Sequence, residues 1–97
     1  MATTVILEVK AKAGTGNAVI ETLKGLLPDT RRYEGCLSLE TLVDEDEPDT
    51  VLVIGKWASR GHYERYRAWR QETGAVDAFV AQLDGPPSIR YFDLTDA

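Results

Sequence analysis

The sequence predicts an α+β fold: an antiparallel sheet with helices on one face. Three observations carry this. Thr3 to Lys12 alternates, with Val5, Leu7, Val9 and Ala11 on one side and Ile6, Glu8 and Lys10 on the other, the period of a strand. Val19, Leu23, Leu26 and Leu27 then recur at helical spacing. Glycine and proline punctuation divides the rest so that the elements run strand, helix, strand, strand, helix pair, strand. Two strand–helix–strand halves in this order, β-α-β-β-α-α-β, make a ferredoxin-like sandwich.

After the first strand, Ala13-Gly14-Thr15-Gly16 reads as a turn, and Thr15 or Asn17 is placed to cap a helix running from about Asn17 to Thr30. Pro28 lies inside its last part, where it removes a hydrogen bond and crowds the preceding turn, so a kink or a restart is expected. Cys36 to Asp44 is the second strand. The acidic loop Asp44-Glu45-Asp46-Glu47-Pro48-Asp49 follows; it lacks the spaced ligands and central glycine of a calcium loop and reads as a solvated hairpin connection. Val51 to Trp57 is the third strand. Ser59 caps the second helix, with His62 where a capping box has its acidic partner. Thr73-Gly74 breaks that helix. Val76, Phe79, Val80 and Leu83 form a short third helix, which Gly85-Pro86-Pro87 stops. Ile89 to Leu94 is the last strand.

Ninety-seven residues suit a single domain, 1–97. Hydrophobic residues make up 43%, enough for a core, and 16 acidic against 11 basic residues give a net charge of −5. That charge argues against nucleic acid, whose binders need a positive field. No apolar run is long enough to span a membrane. With no export signal evident and Cys36 alone, the cytoplasm is the expected compartment. Cys36 itself reads as a small core residue. No cluster of cysteine and histidine has metal-ligand spacing and no phosphate loop is present, so neither a metal nor an organic cofactor is expected.

The stretch from Val51 to Trp69 is the most informative. Val51 to Ile54 is apolar on both faces, although helices can cover only one; a second copy of the sheet, packed about a two-fold axis, is the simplest cover for the other, and a homodimer is expected. Trp57 ends this strand only a few residues before the second helix, which must fold back over the Trp ring. On that helix His62, Tyr66 and Trp69 share one stripe, and Tyr63, Arg67 and Arg70 lie on the neighbouring face. Gly55 leaves room beside Trp57. The polar tips of these rings exceed what a dry core accepts without partners, so the set predicts a pocket for a flat aromatic molecule between the sheet and the second helix. Arg90, on the last strand, is placed either to pair with an acid or to orient a phenolate.

The segments Lys12-Ala13-Gly14, Thr30-Arg31-Arg32-Tyr33-Glu34-Gly35-Cys36-Leu37 and Trp57-Ala58-Ser59 resemble the antibiotic biosynthesis monooxygenase domain of the dimeric α+β barrel superfamily. The resemblance spans nearly the whole chain. Trp57 matches the Trp that ends the third strand in cofactor-independent oxygenases converting polycyclic phenols to quinones, and Tyr63 matches a substrate-contacting Tyr. The chain departs from their polar set elsewhere: Val53 stands where they have Asn, Leu42 near their His, Gly55 where many members have Glu, and Tyr66 where a His is common.

The function this implies is a cofactor-independent monooxygenase that oxidises an aromatic or quinol-type molecule with dioxygen. Trp57, Tyr63 and Trp69 are expected to hold the ring, with Arg90 as a further binding residue. Tyr66 and His62 are the candidates for moving the proton or stabilising the oxyanion. The rivals are a non-catalytic dimeric binding or accessory protein with the same pocket, favoured by the missing Asn and His, and a cyclase or isomerase.

Overall fold

The computed structural model describes residues 2–97. Seven elements follow in the predicted order: β1 (Thr3–Lys10), α1 (Gly16–Arg32), β2 (Cys36–Val43), β3 (Thr50–Trp57), α2 (Arg60–Glu72), α3 (Ala75–Val80) and β4 (Ser88–Asp93). The strands form one antiparallel sheet in the order β2-β3-β1-β4, so β1 and β3 are central. This is the ferredoxin-like α+β arrangement. Among the described residues no helix is long and apolar enough to cross a membrane.

Period two fixes which side chains meet the helices. Register pairs Val5 with Gly55, Leu7 with Val53 and Val9 with Val51, and these residues face α1, α2 and α3. Val9, Val19 and Val51 are almost completely buried there, with Leu23, Leu27 and Phe79 beside them. Each such side chain contributes about 1.5–3 kcal/mol when withdrawn from water. A second cluster, Val5, Trp57 and Tyr63, occupies the other end of the same layer.

The opposite face has no helix over it. Ile6 sits across from Ile54, Leu42 across from Leu52, and Thr4 across from Phe92. Leu42 and Phe92 remain 44% and 42% exposed, and a bulge between Cys36 and Ser38 turns Leu37 outward to 60%. The doubly apolar third strand is thus covered on one side only.

Two helix ends differ from the expectation. Thr15 stands at the N-cap of α1 but makes no capping bond; its hydroxyl donates to Lys12 O at 2.6 Å. The cap comes from the acidic loop instead. Asp49 Oδ1 accepts from Gly16 N and Oδ2 from Gly14 N, both at 2.9 Å. Asp49 O also accepts Ala11 N at 2.7 Å, one step beyond Lys10 in the β1–β3 register, and Ala11 forms an isolated bridge to Leu83. A side chain at position 16 would run into Pro48 O, so only glycine lets the loop close on the helix.

Pro28 neither ends nor restarts α1, which runs on to Arg32. The ring is exposed while Leu27 and Thr30 on the opposite side are buried, and Leu26 O is held from α2. Tertiary contacts on both sides of the proline hold the last turn in place.

Candidate functional site

Trp57 is the last residue of β3 and is 1% exposed. Ala58 N then donates to Gly35 O at 2.7 Å, and Ser59 starts α2 by accepting His62 N at 3.2 Å. The chain therefore reverses at once, and α2 lies back across the Trp ring. Tyr63 meets that ring edge-on at 5.4 Å between centroids, and Tyr66 lies tilted against it at 5.1 Å. Such pairs contribute roughly 0.5–1.5 kcal/mol beyond area burial.

Between this cluster, α1 and α3 lies a cavity of ≈ 110 Å³. Its wall is mostly aliphatic, from Leu23, Leu27 and Val53 to Phe79, and Gly55 is part of it. A Cβ on Gly55 would sit 2.9 Å from Trp57 Nε1, so the missing side chain is what keeps the indole edge open. That Nε1–H meets no acceptor among the described residues, yet no buried polar side-chain atom is stranded there either; the donor therefore still reaches open space. The polar wall residues are Thr30, Tyr63, Tyr66, Arg67 and Arg70, and none of the wall is Asp, Glu, His or Cys.

Arg70 organises one end. It is 8% exposed, with its guanidinium 4.8 Å from the Trp69 ring centroid. Nη2 donates to Leu26 O at 2.6 Å and to Thr30 Oγ1 at 3.0 Å, and Nε donates to the Tyr66 hydroxyl at 3.0 Å. Tyr66 and Thr30 share a 2.6 Å contact, and Thr30 Oγ1 donates to Leu26 O at 3.3 Å. The proton order satisfying every group runs from Tyr66 O–H to Thr30 and from Thr30 O–H to Leu26 O. At the other side, burial pushes the Tyr63 hydroxyl up to about 12 despite Arg67, so at neutral pH it is a hydrogen-bond donor.

Of the six residues singled out from the sequence, Trp57, Tyr63 and Tyr66 are on the cavity wall, and His62, Trp69 and Arg90 are not. His62 turns back to its own helix start, with Nδ1 2.7 Å from Ser59 Oγ, and its ring rests on Gly35. Trp69 packs against Tyr33, at the C-terminal end of α1, with 5.3 Å between ring centroids. Arg90 pairs in register with Ile6 and so belongs to the uncovered sheet face, 3.9 Å from Glu8. Cys36 is half-buried beside Trp57, and burial raises its thiol. Thr30, Arg67 and Arg70 are polar wall residues assigned no role from the sequence, although helical spacing placed both arginines on the face of Tyr63. Arg70 follows Tyr63 by two helical turns on one face, which was the available signal. Among the described residues, no group of three or more His, Cys, Asp or Glu side chains is arranged to hold a metal ion.

Fold and cavity together define an α+β sandwich that keeps an apolar, aromatic-rimmed chamber between its sheet and its helices. The antibiotic biosynthesis monooxygenase family model matches residues 2–82, and the chain belongs to that family. The fold is shared with an antibiotic biosynthesis monooxygenase at TM-score 0.83 and 22% identity, over 96% of this chain and 98% of that one. It is shared with Rv0793 from Mycobacterium tuberculosis at 0.85 and 16%, over 100% and 98%. It is also shared with a single-site mutant of SnoaB, a cofactor-independent oxygenase from Streptomyces nogalater, at 0.84 and 14%, over 99% and 95%. None of the curated proteins matches the chain.

Proposed function

We propose that this protein is a monooxygenase that oxidises an aromatic or quinol-type small molecule with dioxygen and needs no cofactor. The observation that carries the reading is the chamber, apolar on most of its wall and rimmed by Trp57, Tyr63 and Tyr66. Membership of the family and the shared fold of a cofactor-independent oxygenase support it.

The chemistry asks little of the protein. A substrate phenol gives up its proton, and the electron-rich ring passes one electron to dioxygen. The substrate radical and superoxide join in a carbon–oxygen bond, and protonation gives a hydroperoxide. Loss of water from that carbon leaves a quinone carbonyl, so one oxygen atom ends in product and the other in water. Trp57 and Tyr63 hold the ring, and the aliphatic wall excludes bulk water. The substrate enters as its phenolate, and Tyr66, polarised by Arg70, is the O–H group placed to stabilise the oxyanion and to supply a proton to the peroxide. His62, Trp69 and Arg90 have no contact in this reading. The active form is a homodimer joined through the uncovered sheet face.

Oxygen uptake with a panel of quinols and polycyclic phenols tests the proposal. Tyr66→Phe is expected to lower kcat by about 10²-fold with KM little changed, as for loss of a general acid–base group. The full use of the Tyr66 hydroxyl within the chain favours the rival, a binding protein that turns nothing over. Ligands that perturb Trp57 fluorescence while no oxygen is consumed would establish that rival.

A further inference from the structure

We propose that the cavity selects a monocyclic aromatic acid bound as its anion, with the acid group held at the Arg70 end and the ring against Trp57. This rests on the reading above in that it names the substrate class of the same site.

The argument is one of unmatched charge. Arg70 is more than nine-tenths buried, and a buried guanidinium ordinarily has a carboxylate beside it. The chain has 16 acidic residues, yet among the described residues every ion pair lies elsewhere and neither Arg70 nor Arg67 joins one. Leu26 O, Thr30 and Tyr66 engage Nη2 and Nε only. The two Nη1 donors have no partner among the described residues and are not sealed off. The bonds to α1 also stop the side chain from swinging out to water, so the charge is fixed at the chamber.

The remaining polar groups agree in sign. Trp57 Nε1–H and the protonated Tyr63 hydroxyl are donors without acceptors among the described residues, and Arg67 adds a second guanidinium. A chamber rich in donors and free of carboxylates complements a ligand rich in acceptors, and its two cations complement a negative one. Size sets the rest. An apolar cavity of about 150 Å³ takes benzene, and this one is ≈ 110 Å³. A single ring already more than fills that space, so the acid group must lie beyond the apolar part, against Arg70, and fused systems project further still.

The test is calorimetric titration of the full chain with benzoate, its neutral isostere benzamide and anthracene-2-carboxylate. Benzoate is expected to bind at least tenfold tighter than either. In wild type, benzoate should shift the Arg70 Nε–H resonance, assigned by its loss in Arg70→Gln, and benzamide should leave it in place. In Arg70→Gln the benzoate preference should fall to within twofold. If that variant does not fold, Arg70→Lys supplies the assignment and the wild-type comparison decides. Equal affinity for benzoate and benzamide, no binding of either, or an unshifted Arg70 signal overturns the proposal. Oxygen uptake separates the two readings. Turnover of neutral hydroquinones without any benzoate preference removes the anion site and keeps the oxygenase. A benzoate preference with no oxygen consumed by any dihydroxybenzoate does the reverse.

Discussion

Burial lifts the Tyr63 hydroxyl from its ordinary 10.0 to about 12; Arg67 pulls the other way, and Tyr91 and Tyr66 add to the rise. Between those two values the unfolded chain has lost the proton while the folded chain keeps it. The folded state then binds more protons, so stability is full below pH 10 and falls as pH rises toward 12, by on the order of 2 kcal/mol for a shift of this size. Urea unfolding from pH 9 to 11.5 should show that decline, and Tyr63→Phe should flatten it. The same residue shows what the sequence revealed of the site. Trp57, Tyr63 and Tyr66 were legible because large rings clustered around a strand end and a helix start mark a wall. Arg70 was not, since a charged residue in a helical repeat reads as surface until its carbonyl partner on α1 is known. His62 was misleading for a local reason: Ser59, three residues earlier, engages its ring.

Among the elements, α1 departs most from its sequence pattern. Its propensity breaks at Pro28, but the helix continues because Leu27 and Thr30 pack inward and Arg70 holds Leu26 O. Local rules predicted the strain and could not foresee the long-range contacts that overrule it. Pro28 is exposed, so Pro28→Ala removes the strain without opening the core. It should stabilise the protein by at least about 1 kcal/mol, roughly 4–8 °C in Tm, partly offset by greater freedom of the unfolded chain. A thermal melt that shows no rise would mean that α1 accommodates the ring without cost. The strands were easier. Alternation in β1 and the unbroken apolar run in β3 gave each its type, and the observed ends lie within one or two residues of those expected.

At the scale of the molecule, the sheet has one finished face and one unfinished. Leu42, Leu52, Ile54 and Phe92 form an apolar strip on the unfinished side, bordered by Glu8, Lys56 and Arg90. An exposed apolar sheet face of this kind marks an association surface. Sedimentation at micromolar concentration should give a dimer. Ile54→Lys places a charge mid-strip, where a lone subunit tolerates it and a sheet-to-sheet interface does not, so that variant should sediment as a folded monomer. A wild-type monomer would remove the dimer from the proposed function. The ferredoxin-like order was readable because each element has its own period. The uncovered apolar face was readable only indirectly, through a strand with no polar side.

The Asp49 clasp has a consequence for time as well as for structure. Its bonds to Gly14 and Gly16 join residues 35 and 33 positions apart. The clasp forms only after β3 has docked on β1 and delivered the loop to the helix start, so it belongs to the last events of folding and the first of unfolding. Asp49→Ala should therefore leave the refolding arm of a chevron nearly unchanged and raise the unfolding rate, by about fivefold for a loss near 1 kcal/mol. The acidic loop then acts as a latch on the lifetime of the folded chain.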